Sequence, residues 1–124
     1  MKTILIVDDE FDLTGTLQAI LRGEGYAAEV CSDGRETLDR IKASRPDLLL
    51  MDVMMPRMSG YEVLKAMKRT PGLDGIPVVL MSAAPLRVKP ADYTWAAFLL
   101  KPFTLDAVLR AVEEQVGKPE PTGN

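Results

Sequence analysis

The chain has 124 residues, 47% of them apolar and 27% charged, with a formal net charge of −3 and a pI near 5.0. That length suits one domain with a real core, and the mixture is that of a soluble globular protein with no apolar run long enough to cross a bilayer. An acidic chain lacks the basic stripe of a nucleic-acid surface, and a single cysteine, Cys31, with no histidine leaves no internal disulfide, zinc site or Cys–His catalytic pair.

The start, Met1-Lys2-Thr3-Ile4-Leu5-Ile6-Val7, is too short and too soon interrupted by acids to be an export signal, so it reads as a strand of a cytoplasmic protein. Strand-length apolar runs then alternate with segments of helical apolar spacing, the pattern of βαβ units around a parallel sheet. The strands are placed at Thr3 to Val7, Ala28 to Cys31, Leu48 to Met51, Pro77 to Met81 and Phe98 to Leu100. The first helix buries Leu13, Leu17, Ile20 and Leu21 and ends at Gly23 and Gly25; the second buries Thr37, Leu38 and Ile41 and closes at Ser44-Arg45-Pro46.

A third helix, from about Gly60 to Arg69, buries Val63, Leu64 and Met67 and stops at Thr70-Pro71-Gly72. Between the fourth and fifth strands the alternation calls for another helix, but Pro85 and Pro90 fall there, and an interior proline costs about 3 kcal/mol. That helix is therefore expected to be short or irregular, with Pro90 opening a single turn through Trp95, which packs inward. The last helix follows Thr104 as N-cap, buries Leu105, Val108, Leu109 and Val112, and stops at Gly117. Residues 1–117 are read as the domain and 118–124 as a disordered tail.

Four strands end on chemistry: Val7 is followed by Asp8-Asp9-Glu10, Met51 by Asp52, Met81 by Ser82 and Leu100 by Lys101. In a parallel sheet these ends share one edge, where open α/β sheets bind ligands at the reversal of strand order. Carboxylates, a hydroxyl and an ammonium are thus expected in one pocket, with Glu10 read as a solvated loop residue. Two carboxylates about 4 Å apart repel by roughly 1 to 4 kcal/mol in wet protein, so the cluster needs a cation or must hold protons. Hard oxygen ligands without histidine or thiolate favour Mg2+, beside which a carboxylate can attack phosphorus.

These residues resemble the receiver domains of two-component response regulators, over nearly the whole chain. The resemblance rests on Asp8-Asp9, on Asp52 followed by Val53-Met54-Met55-Pro56-Arg57-Met58-Ser59-Gly60, on Ser82-Ala83 and on Lys101-Pro102-Phe103. It implies a doubly wound, flavodoxin-like α/β fold of five parallel strands in the order 2-1-3-4-5. It also implies that Asp52 is the phosphoacceptor, and that Asp9, Asp52 and the Met54 carbonyl coordinate Mg2+ with Asp8 supporting the ion through water. Ser82 and Lys101 would contact the phosphoryl group, Lys101 before a cis bond to Pro102, and Phe98 would be an aromatic switch that turns inward as Ser82 moves.

The implied partners are a histidine kinase or histidine phosphotransfer protein and a downstream protein, with no direct nucleic-acid or membrane contact and a monomer or weak homodimer in solution. The only catalysis expected is the domain's own phosphorylation and dephosphorylation, and the chain is read as acting alone, by docking, or as part of a larger regulator or hybrid kinase. A rival reading is a pseudo-receiver, an interaction module regulated without phosphorylation; a flavin binder is disfavoured by the acidic first loop, and an aspartate phosphatase by the lack of a second acid two residues after Asp52. Met54 and Ala84 occupy positions that tune phosphate lifetime in this family, and neither side chain can hydrogen-bond an attacking water. Slow self-dephosphorylation is expected, and unchanged decay in Met54→Asn and Ala84→Glu would refute that account.

Overall fold

A computed structural model describes residues 1–86 and 94–119. The expected turn from Pro90, and the expected tail from residue 120 onward, lie outside the described residues. The described elements run in the order β1 (Thr3–Val7), α1 (Phe11–Glu24), β2 (Ala27–Cys31), α2 (Gly34–Ala43), β3 (Leu48–Asp52), α3 (Gly60–Arg69), β4 (Val78–Ser82), β5 (Ala97–Leu100) and α4 (Leu105–Val116). All pairings are parallel, in the expected order β2-β1-β3-β4-β5.

The helix ends follow local chemistry. Asp33, Ser59 and Thr104 each accept a hydrogen bond from the backbone N–H three residues on, satisfying a donor that the first turn leaves unpaired. Gly25, at φ 110°, caps α1 in the left-handed region, which a side chain would disfavour; Gly23 lies inside the helix and does not end it.

All of β3 and β4, and Ile4 to Val7 of β1, are buried because helices cover both faces of the sheet. Leu38 and Ile41 of α2 and Val63, Leu64 and Met67 of α3 pack on Leu5, Val7, Leu49, Met51, Val78 and Leu80. On the other face, Leu17 and Leu21 of α1 and Val108, Ala111 and Val112 of α4 pack on Ile4, Ile6, Leu48, Leu50, Val79 and Met81. Trp95 packs inward against the α2–α3 layer, as expected. Leu105 departs from expectation: it is exposed, and the buried stripe of α4 begins at Val108.

Gly60, the first residue of α3, shows how tightly the loop after β3 is folded back. A Cβ there would lie 2.7 Å from the Asp52 carbonyl oxygen and 2.9 Å from the Val53 Cα, both backbone atoms that cannot swing away. Gly60→Ala is expected to destabilise the protein by about 2 kcal/mol, read as a lower denaturant midpoint at unchanged slope. An unchanged midpoint would mean that the loop gives way without cost.

Candidate functional site

The strand alternation carries three charged residues to one point. The ladder runs past the strand ends: the Asp8 N–H donates to the Cys31 carbonyl, Val53 to Met81 and Lys101 to Ser82. Successive side chains therefore continue to point to opposite faces. Asp8 follows Ile4 and Ile6, Asp52 follows Leu48 and Leu50, and Lys101 follows Ala97 and Leu99, all in register with the α1–α4 face.

Their side chains meet there. Lys101 Nζ lies 2.7 Å from Asp8 Oδ2, 2.9 Å from Glu10 Oε1 and 3.4 Å from Asp52 Oδ2. Exposure grades the three acids: the side chain of Asp8 is 0% exposed, that of Asp52 6% and that of Glu10 61%. The second oxygens of the buried pair are held by backbone two residues on, Asp8 Oδ1 accepting from the Glu10 N–H and Asp52 Oδ1 from the Met54 N–H.

Burial, and after it the negative charge of Asp8, pushes the Asp52 carboxyl up to about 6, against the opposing pull of the Met54 N–H and Lys101. Burial alone would lower the Lys101 ammonium's pKa. Its hydrogen bonds to Asp8 and Glu10 and the charges of Asp52 and Asp8 outweigh burial, and the group is held above its ordinary value.

The remaining expected residues are distributed around this core. Ser82 is buried at the end of β4, its Oγ accepting from the Ala84 N–H, and Lys101–Pro102 is a cis peptide. Phe98, beside Leu80 across the β4–β5 ladder, is partly buried against the α2–α3 layer. The Met54 side chain is exposed. Asp9 is exposed too, standing in the alternation with Leu5 and Val7 rather than with Asp8.

Among the described residues, the acids whose oxygens come within 4.8 Å of one another are Asp8, Glu10 and Asp52, a set with hard oxygen donors and a shared need for positive charge. Glu10 is the residue that sequence reasoning undervalued. It is solvated, as expected, but also paired to Lys101, and its place two residues after a buried aspartate is the signal that could have found it.

A doubly wound sheet that gathers buried acids and a lysine where strand order reverses is the arrangement of a receiver module. The family model of the response regulator receiver domain matches residues 4–113, and the chain belongs to that family. Response regulator MprA of Mycolicibacterium vanbaalenii is 38% identical over 109 residues, covering 86% of this chain and 46% of that protein. MprA of Mycobacterium tuberculosis is 36% identical over 121 residues, 95% of this chain and 52% of that one, so the chain spans about half the length of these relatives.

Among solved structures, chemotaxis protein CheY4 of Vibrio cholerae superimposes with a TM-score of 0.85 at 27% identity, covering 93% of this chain and 98% of that one. Response regulator TrrA of Thermotoga maritima, in complex with Mg(2+)-BeF, gives 0.81 at 26% identity over 93% and 99%. Among the described residues no helix is long and apolar enough to cross a membrane.

Proposed function

We propose that the chain is the phosphoacceptor of a cytoplasmic two-component or phosphorelay system, taking a phosphoryl group on Asp52 from a histidine kinase or phosphotransfer protein and thereby switching a surface that a downstream protein reads. The observation that carries this reading is the buried Asp52 carboxylate, 3.4 Å from Lys101 and beside fully buried Asp8. An Asp52 oxygen forms a bond to phosphorus while the donor's bond to phosphorus breaks, and the donor leaves with the electron pair. Lys101 has its ammonium in place to pair with the arriving phosphoryl oxygens, and Ser82, at the neighbouring strand end, has a hydroxyl to donate to them.

The donor set fits Mg2+. Asp52 and Asp8 offer oxygens close together, while Asp9, exposed and outside that cluster, and the Met54 carbonyl are the further ligands proposed. When bound, the ion would supply charge screening for the phosphoryl group. Phe98 is proposed to turn inward once Ser82 engages phosphate, and the domain's catalysis is confined to its own phosphorylation and dephosphorylation.

Incubation with Mg2+ and acetyl phosphate, followed by mass spectrometry, should show one added phosphoryl group, absent without Mg2+. No gain with any phosphodonor would favour the pseudo-receiver reading instead. A proton on Asp52 competes with the ion, so Mg2+ affinity should hold above pH 6 and fall below it, by roughly tenfold per pH unit for one proton. Titration calorimetry at pH 7 and pH 5 measures this, and equal affinities would mean that Asp52 either stays ionised at pH 5 or does not hold the ion.

A further inference from the structure

Glu10 occupies an unusual place. It is the N-cap residue of α1, yet its side chain makes no cap hydrogen bond. Its backbone is fixed at both ends, the N–H donating to Asp8 Oδ1 and the carbonyl accepting from the Thr14 N–H. The carboxylate thus starts from a held position and reaches Lys101 at 2.9 Å, closer than Asp52 at 3.4 Å. An ammonium has three N–H donors, and here three carboxylates take them.

Resting on the function proposed above, we infer that Glu10 is a positioning residue, a tether that holds Lys101 toward the first loop until a phosphoryl group on Asp52 draws it across. Phosphorylation of Asp52 frees only the longest of the three contacts, at 3.4 Å, so Lys101 can close on a phosphoryl oxygen only if one of the two shorter ones also gives way. Asp8 is fully buried and would be left with an unpaired charge, a costly state. Glu10 is mostly exposed, so water takes over its carboxylate at little cost. It is the partner that yields, and the strength of its bond sets how readily the occupied state forms.

The test compares the wild type with Glu10→Gln and Glu10→Asp in two measurements. In metal-free protein labelled with nitrogen-enriched lysine, NMR reads proton exchange from the Lys101 ammonium, which should quicken in both variants as the shortened or neutral side chain lets go. In the presence of Mg2+, beryllofluoride stands in for the phosphoryl group. Both variants should bind it about twofold to fivefold more tightly, the range an exposed ion pair carries.

Glu10→Asp keeps the charge but withdraws it by one carbon–carbon bond, about 1.5 Å. Tightening by Glu10→Gln alone would reduce the effect to charge repulsion and overturn the tether. A loss of Mg2+ affinity by tenfold or more in Glu10→Gln would make Glu10 a metal ligand and also overturn it. Unchanged Lys101 exchange refutes the contact whatever the protein binds. Quickened exchange with no beryllofluoride bound by any variant leaves the contact standing, but refutes its role in switching together with the proposed function.

Discussion

Asp52→Asn is expected to abolish phosphoryl incorporation and, in the same protein, to raise the stability of the metal-free fold. The second effect follows from the cost of keeping a buried carboxylate charged beside Asp8. With its pKa raised to about 6, Asp52 holds its proton more tightly in the folded chain than in the unfolded one. The stability linked to that proton is present at pH 4, is lost as pH rises toward 6, and is absent at pH 7. Asparagine has the same shape, carries no charge and can still accept from the Met54 N–H. At pH 7 the variant should gain about 2 kcal/mol, a rise in thermal midpoint of roughly 6 to 10 °C, and the gain should shrink by pH 5. Thermal unfolding at the two pH values measures it; a variant no more stable than wild type at pH 7 would mean that Lys101 already neutralises the pair.

Lys101→Met should do the opposite. Lys101 is the cation that Asp8 and Asp52 share, and methionine fills much of its volume without its charge. Two buried carboxylates would then face each other with no compensating positive group, a loss of about 3 kcal/mol at pH 7. The deficit should narrow as the pH falls and the acids take up protons, and it should narrow again with millimolar Mg2+ if the ion binds where proposed. Chemical denaturation with and without Mg2+ separates the two remedies. Loss of stability that neither acid nor Mg2+ relieves would point to lost packing of the lysine stem and not to charge. Taken together, the two variants describe a site whose resting charges are balanced by a lysine rather than neutral in themselves, and such a site is ready to exchange one positive partner for another.

The continuous apolar run Leu48-Leu49-Leu50-Met51 already demanded a strand covered on both faces, and the helical stripes on either side supplied the covers. The edge where chemistry gathers was equally legible, because in a parallel sheet Asp8, Asp52, Ser82 and Lys101 could end nowhere else. Tertiary structure decided what happens within the first loop. Neighbouring acids in a sequence look alike, but the ladder extends one residue past Val7, so Asp8 is carried inward with Ile4 and Ile6 while Asp9 remains in solvent. The backbone then turns at Glu10 into α1, which brings a third acid back to Lys101 from across the fold, 91 residues away along the chain. Periodicity specifies which face a strand residue takes. It carries no information about the direction of a side chain at a turn, where hydrogen bonds to distant groups choose the partner.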